Sequence, residues 1–195
     1  MTVPRPLALA ELLDQLLNCV CASIDTMAER VEGHPRCPCR IFVSPGTPPG
    51  DCCSGGCGAD AEEFGHGQLV VYTSRLFQTN AFPQQNVNID PCAPTTLAAE
   101  VVVRLARCGP GFDDRGGVPS NDQWTAAGTM VAVDMLAMVD AVSCCAVLWP
   151  GHHKKRRVAI VSHVPIAPEA CVGSELRAIF DVGKLGGPPP DAGPD

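Results

Sequence analysis

The sequence has few aromatic residues, an excess of acid over base and no long apolar run. Aromatics make up 5% of its 195 residues, so a core must be built from Leu, Val, Ala and Met side chains. The 14 Lys and Arg residues are outnumbered by 21 Asp and Glu residues, and the net charge of −7 argues against a general nucleic-acid binder. No apolar run approaches the roughly 18 residues of a membrane helix, and the N-terminus lacks a signal-peptide pattern. We therefore expect a soluble protein made in the cytosol.

Length and composition predict one globular unit. An apolar content of 46% supports a real core, and a chain of 195 residues should bury roughly 70% of its unfolded surface. Residues 1–182 are predicted to form a single α+β domain with long loops. The Gly- and Pro-rich segment 183–195 is predicted to be a disordered tail.

Hydrophobic periodicity predicts two long helices. Residues 6–32 keep apolar side chains at i, i+3, i+4 and i+7, and Gly33 and Pro35 end this pattern. A second helix begins with a capping box, in which Ser120 is the cap and Gln123 reaches back to it. It continues to Cys145.

Alternating apolar residues predict five strands. In the clearest of them, residues 97–107, one face is entirely apolar, whereas Glu100 and Arg104 lie on the other face. One buried and one partly wet face favour an antiparallel sheet. We predict an α+β fold in the order α-β-β-β-α-β-β, with an antiparallel or mixed sheet, a long N-terminal helix and a second long helix. The predicted strands are 40–43, 68–77, 97–107, 158–164 and 172–182.

Twelve cysteines, about 6% of the chain, are more than a cytosolic protein usually carries. A protein made inside a cell and later exposed, such as a virion component, would account for them, and so would a cytosolic metal protein. Cys19 and Cys21 lie two residues apart in the first helix and face different sides, so they cannot jointly hold a metal. The other ten lie at junctions between elements and are candidates for disulfides: Cys37, Cys39, Cys52, Cys53, Cys57, Cys92, Cys108, Cys144, Cys145 and Cys171.

The best candidate zinc ligands are Cys37, Cys39, Cys53 and Cys57. Structural zinc sites use cysteine pairs separated by two to four residues, and here only the spacing from Cys53 to Cys57 fits. Disulfides or thiols are therefore favoured, and we predict no metal and no cofactor. The loop residues His34 and His66 could complete such a site, but their Gly and Pro neighbours predict that both are solvated.

No residue set indicates catalysis, so the chain is not predicted to be an enzyme. A nucleophilic cysteine needs a base and a positive local field, whereas Cys144–Cys145 meet the negative end of a helix dipole. Asp113–Asp114 lie in a Gly-rich loop, where Asp forms turns. Asp134 and Asp140 lie about 120° apart on their helix and cannot work as an acid–base pair.

The run His152–Arg157 concentrates basic residues in an otherwise acidic chain. Lys154, Lys155, Arg156 and Arg157 could contact DNA phosphates or an acidic partner surface, whereas the simpler interpretation is a solvated connection. A zinc-stabilised nucleic-acid-binding module, with the cysteine loop as its centre and this run as its contact, stays open as an alternative.

Several segments after the first long helix carry a resemblance to a known group of proteins. They are Cys39–Gly46, Asp51–Cys53, Gly67–Tyr72, Arg75–Phe77, Phe82–Pro83, Arg107–Pro110, Asp134, Cys144–Cys145 and Cys171–Glu175. In spacing and topology the chain resembles the neck proteins of long-tailed phages of high-GC, actinobacterial hosts, most closely the tail-terminator or head-to-tail connector group. The resemblance covers about residues 6–182, and the basic run and the acidic tail depart from the pattern.

This resemblance implies a structural, non-enzymatic protein. A tail terminator forms a sixfold ring on the last layer of tail-tube subunits, stops tube polymerisation and presents a surface to the head-to-tail connector. The implied partners are further copies of the chain in a hexameric ring, the tail tube protein, and the connector or stopper. Genomic DNA would pass the lumen without sequence-specific binding, and no membrane is implied. The implied location is the virion neck, assembled in the host cytoplasm, and a connector or stopper is the alternative within the group.

Overall fold

The computed structural model describes residues 5–48, 52, 65–86, 96–111, 117–145, 157–166 and 171–184. It is a mixed α+β structure with two long helices and a five-stranded mixed sheet. The predicted order α-β-β-β-α-β-β is confirmed.

The elements lie close to their predicted positions. Strands begin or end one to three residues beyond the prediction, and the last strand includes Gly183 and Lys184, which were assigned to the tail; the rest of that tail lies outside the described residues. The predicted capping box is present, with Ser120 Oγ accepting from the Gln123 backbone. The elements are α1 (Arg5–Arg30), β1 (Pro38–Val43), β2 (Gly65–Thr79), β3 (Thr96–Cys108), α2 (Asn121–Asp140) with a π-helical turn (Ala141–Cys145), β4 (Val158–Pro165) and β5 (Cys171–Lys184).

The sheet has the strand order β1-β2-β3-β5-β4. β1 pairs with β2 in parallel, and the other neighbouring strands pair in antiparallel fashion. The long β3 is the central strand, where Val103 pairs with Val71 on one side and with Leu176 on the other. β1 and β4 are the two edges.

Both helices pack on one side of this sheet, α1 against β1 and β2, and α2 against β5. The core lies between the helices and the sheet, and it includes Leu12, Leu16 and Ile24 from α1 and Phe180 from β5. The apolar face predicted for β3 is buried in it, since Ala99, Val101, Val103 and Leu105 are each at most 1% exposed. Burying one such side chain contributes roughly 1.5–3 kcal/mol, which makes this layer the main source of stability.

A bulge at Ser74 decides which side chains of β2 reach the outer side of the sheet. Thr73 pairs with Val101 on the helix side, whereas Arg75 pairs with Glu100 on the outer side. The extra residue reverses the alternation of faces along the strand. It thereby brings Arg75 next to the Glu100 carboxylate.

Candidate functional site

Three ionisable side chains from distant parts of the chain meet inside the protein. Arg107, near the end of β3, donates from Nε to Asp134 Oδ2 at 2.8 Å and from Nη2 to Asp134 Oδ1 at 3.0 Å. His34 Nε2 lies 3.1 Å from the same Oδ1 atom. The three residues are 2%, 1% and 9% exposed, respectively, so the cluster is closed to solvent.

The other donors of Arg107 fasten the turn between α1 and β1. Its Nη1 donates to the Arg36 carbonyl oxygen at 3.0 Å, and Nη2 lies 3.4 Å from the Pro35 carbonyl oxygen. The cluster therefore joins β3, α2 and this turn. A buried charge is tolerable only when it is paired and hydrogen-bonded, and this arrangement meets that condition.

The environment keeps His34 neutral near pH 7. Burial lowers the pKa of His34, Asp134 raises it and Arg107 lowers it again, so that the net pKa lies below the ordinary value. The prediction that His34 is solvated is wrong. Gly33 and Pro35 mark the turn, but they do not reveal that it packs against α2. With its carboxylate held by Arg107, Asp134 has a structural role in this geometry and is not offered to a substrate.

A second polar pair joins the partly buried His163 in β4 to the buried Ser174 in β5. His163 Nε2 lies 3.0 Å from Ser174 Oγ, which in turn lies 3.4 Å from Met138 Sδ in α2. Burial lowers the pKa of His163. The distance would suit a nucleophile and its base, but Ser174 is 0% exposed and out of reach of any substrate.

Two disulfides fasten α1 to neighbouring turns, and a third fastens a loop to the sheet. Cys19–Cys145 joins α1 to the π-helical turn, Cys21–Cys37 joins α1 to the residue before β1, and Cys52–Cys171 joins a loop to β5. Their Cα–Cα distances of 5.7, 5.1 and 5.8 Å are ordinary for disulfides.

The predicted set of disulfide cysteines left out Cys19 and Cys21, which form bonds to Cys145 and Cys37. The two side chains face different sides of α1, as expected, and each reaches a different partner. Cys39 and Cys108 are also disulfide-bonded, and Cys144 is exposed. Cys53, Cys57 and Cys92 lie outside the described residues.

Of the four candidate zinc ligands, the structure describes two, Cys37 and Cys39. Cys37 is bonded to Cys21, and Cys39 is oxidised as well, so neither offers a thiolate to a metal. Within the described ranges, no group of three or more His, Cys, Asp or Glu side chains is placed to hold a metal ion. The His66 side chain and Asp113–Asp114 lie outside what the structure describes.

Only Arg157 of the basic run lies in the described part of the chain; Lys154, Lys155 and Arg156 do not. Arg157 donates to Asp181 Oδ2 from Nη2 at 2.7 Å and from Nε at 2.9 Å. Its guanidinium carbon lies 5.0 Å from the centre of the Phe82 ring. Arg157 therefore contacts its own fold, although an exposed ion pair of this kind contributes only about 0–1 kcal/mol.

A charged network occupies the outer side of the sheet around Glu100. Glu100 Oε2 accepts from Arg75 Nε at 2.8 Å, Oε1 accepts from Ser74 Oγ at 2.9 Å, and Arg177 lies 3.5 Å from Oε1. Burial raises the pKa of Glu100, but the hydrogen bonds from Ser74 and Arg75 and the nearby guanidinium charges lower it further than burial raises it. The network keeps the Glu100 carboxylate ionised on the sheet face that the sequence predicts to be partly exposed to solvent.

Helix α2 is unusually exposed for so apolar a segment. Its buried residues are Ala127, Asp134, Ala137 and Met138, whereas Trp124 and Leu136 are 38% and 65% exposed. By length and composition alone, Asn121–Cys145 could cross a membrane, with a mean hydropathy of 1.5 and 28% of its most apolar window buried. The prediction that no apolar segment approaches the length of a membrane helix is therefore wrong for α2. Asp134 nevertheless binds the middle of this helix to Arg107 in the sheet.

Large apolar side chains are also exposed at both edges of the sheet. Ile41 and Val43 in β1 are 44% and 40% exposed, and Leu76 in β2 is 50% exposed. They pair with Leu69, Val71 and Ala99, which belong to the core, so all three point to the helix side. At the opposite edge, Ile160 of β4 is 41% exposed and points to the same side, since it pairs with Ala178.

No protein-family model matches this chain, and the comparison with curated proteins finds no match either.

Proposed function

We propose that this protein is a structural neck protein of a long-tailed phage and acts as a tail terminator. It would form a ring on the tail tube and join the tube to the head connector. The observation that carries this proposal is the contrast between a closed polar interior and exposed apolar surfaces on α2 and at both sheet edges. A protein that works by assembly needs exposed apolar surfaces, whereas an enzyme needs a pocket with accessible polar groups.

The disulfides support an assembly that has to survive outside a cell. Cys19–Cys145 and Cys52–Cys171 join residues 126 and 119 positions apart and close most of the chain into loops. Bonds of this kind persist in oxidising surroundings and limit unfolding. A virion component that is made inside a cell and later exposed to oxidising surroundings would account for these bonds.

A depression beside α1 and the π-helical turn also fits a passive role. It has a volume of about 510 Å³ and is lined by Glu11, Asp14, Asn18 and the Cys19–Cys145 disulfide. Its exposed carboxylates would repel nucleic-acid phosphates, which suits a protein past which DNA must slide.

Electron microscopy of lysates tests the proposal. The phage carrying this gene would be compared with the same phage carrying an early stop codon, with and without complementation by the intact gene. Unjoined heads beside tails of uncontrolled length are expected for a tail terminator. Tails of normal length beside heads that have lost their DNA would assign the protein to the connector or stopper instead. Intact particles would refute a structural role.

A further inference from the structure

We propose that copies of this chain bind one another head to tail through two different apolar surfaces. The first, the α2 surface, comprises Trp124, Gly128, Ala132 and Leu136. The second, the β1 surface, comprises Ile41, Val43 and Leu76. This inference rests on the assembly role proposed above and specifies the contact by which it would occur.

The α2 surface is one continuous helix face without charge. Gly128, Ala132 and Leu136 recur at intervals of four residues and are exposed, whereas Ala127, Asp134, Ala137 and Met138 of the same helix are buried. Charged residues are 18% of the chain, so about three are expected among the 17 residues from Gln123 to Val139. The only one is Asp134, which is buried and bound to Arg107. The exposed side of α2 is therefore far less polar than an ordinary solvated helix face.

Gly128 is the second indication that another backbone approaches α2. A Cβ atom added at this position would meet nothing within 4 Å in the described part of the protein, so no contact described there requires a glycine. A glycine in an exposed helix costs about 1 kcal/mol relative to alanine. Close approach of a partner would explain why the smallest residue stands at the middle of an apolar face.

The β1 surface offers a different shape at the opposite edge of the sheet. Ile41 and Val43 project from the edge strand β1, and Leu76 projects from its neighbour β2. Next to Ile41 lies a depression of about 200 Å³ that Asp25 and Pro38 also line. Interfaces commonly place an aromatic anchor in such a depression, and Trp124 of the α2 surface is the aromatic residue available for it.

The absence of basic residues in α2 favours a second copy of the chain over an anionic membrane or a nucleic acid as the partner of the α2 surface. The helix contains no Lys or Arg, and Asp122 and Asp140 stand near its two ends. Anionic lipid surfaces and nucleic-acid phosphates favour basic helices and would be repelled. Two copies of a chain of net charge −7 also repel each other, so they associate best through side chains without charge, and the side chains that define the α2 and β1 surfaces carry none.

The positions of the two surfaces determine the type of assembly. Because α2 packs on β5 and β1 is the far edge, the surfaces lie toward opposite ends of the strand order. Contact between two different surfaces is heterologous, so it produces a closed ring or an open filament and not a symmetric dimer. A 20-residue helix is about 30 Å long and about 10 Å wide, so the helix supplies roughly 300 Å² of the about 800 Å² that each partner of a stable interface buries. The helix alone therefore covers less than half of a stable interface, and each single contact should be weak until a ring closes.

The test uses two variants of the full chain, each of which destroys one surface. Leu136→Lys places a charge on the α2 surface, and Val43→Lys places one on the β1 surface; Ile41→Lys replaces the latter if it does not fold. Gln84→Lys, in an exposed turn, adds the same charge outside both surfaces. Each protein is checked for an intact melting transition, and its mass is measured by sedimentation over a range of concentrations.

Head-to-tail binding predicts a specific pattern of masses. The wild type and Gln84→Lys should form higher oligomers, and each surface variant alone should be monomeric. At the highest concentrations, where one weak contact suffices, an equimolar mixture of Leu136→Lys and Val43→Lys should form a dimer and nothing larger, because each variant retains the surface that its partner lacks. Dimers of Val43→Lys alone would indicate a symmetric α2–α2 contact and overturn the proposal, and so would monomeric wild type at every concentration. Flotation of the wild type with vesicles of phosphatidylcholine and phosphatidylglycerol, without self-association, would assign the α2 surface to a membrane instead.

These measurements are independent of the phage experiment. Monomeric wild type together with overlong tails in the mutant lysate would refute the contact and leave the neck role intact. Head-to-tail oligomers together with intact particles in that lysate would refute the neck role and leave the contact intact.

Discussion

Arg107 and Asp134 form a two-point ion pair that joins the central strand to the second helix. The Nε–Oδ2 and Nη2–Oδ1 distances are 2.8 and 3.0 Å, and both residues are at most 2% exposed. Since Asp134 is one of four buried residues in the 20 of α2, this pair is a principal attachment of the helix to the sheet. A helix fixed in this way can expose its opposite face without detaching.

Replacing Asp134 with Asn should cost about 3–5 kcal/mol in the free energy of unfolding, because it leaves the Arg107 charge buried without a counter-ion. Urea denaturation monitored by circular dichroism measures this loss. Asp140→Asn is the matched control, since Asp140 is exposed and accepts one 3.4 Å hydrogen bond from Ser23; it should change stability by less than about 0.5 kcal/mol. Equal effects of the two variants would show that the buried pair is not a major attachment.

His34 should make the protein less stable in mildly acidic solution. Its pKa in the folded state lies below the ordinary 6.5, and the charged groups facing it are Asp134 and Arg107. Below pH 6.5 the unfolded chain therefore binds more protons than the folded chain, and stability falls as the pH falls, by at most about 1.4 kcal/mol per pH unit for one such group. Urea denaturation at pH 7.5, 6.5 and 5.5 measures the slope.

The variant His34→Gln separates this effect from other titrations. His163, whose pKa burial also lowers, contributes in the same direction. We expect the slope between pH 6.5 and 5.5 to be reduced in His34→Gln and in His163→Gln, and to be nearly absent in the double variant. An unchanged slope in the double variant would mean that neither imidazole is held neutral in the folded protein.

Removing Cys19–Cys145, which closes the largest loop of the three disulfides described above, should destabilise the protein more than removing Cys21–Cys37, which closes the smallest. In the chain-entropy description, a 126-residue loop corresponds to about 5 kcal/mol and a 16-residue loop to about 3 kcal/mol. The paired variants are Cys19→Ser with Cys145→Ser and Cys21→Ser with Cys37→Ser. Peptide mapping without reduction first establishes the connectivity, and melting temperatures under oxidising conditions then compare the pairs. A larger loss for the short loop would mean that loop closure does not govern these bonds.

Local patterns were sufficient to predict the elements of the fold. The apolar face from Ala99 to Leu105 and the Ser120 capping box depend on residues near one another in the chain, and both lie as expected. β1 pairs in parallel with β2, and the alternation of apolar residues does not predict this direction of pairing. Periodicity reports which face of an element is buried, but not which neighbour covers it.

The polar interior could not be predicted because its members are far apart in sequence. His34, Arg107 and Asp134 are separated by 73 and 27 positions, counted from their residue numbers, and no local spacing connects them. One signal was available: Asp134 is the only charged residue from Gln123 to Val139, and a lone carboxylate in an apolar helix calls for a buried basic partner. Which of the chain's arginines supplies that partner is settled only by the tertiary fold.

Alanine at two glycines should have opposite effects on stability. Gly67 in β2 has a φ of 130°, and a Cβ atom there would overlap the Ala106 carbonyl oxygen in β3. Gly67→Ala must therefore strain the backbone or part the two central strands, and we expect a loss of more than about 2 kcal/mol. Gly128→Ala meets nothing within 4 Å in a regular helix and should stabilise the protein by up to about 1 kcal/mol. Both should be measured in the Leu136→Lys background by urea denaturation, so that self-association does not contribute. A neutral Gly67→Ala would contradict the close approach of β2 to β3, and destabilisation by Gly128→Ala would show that α2 is covered within its own chain.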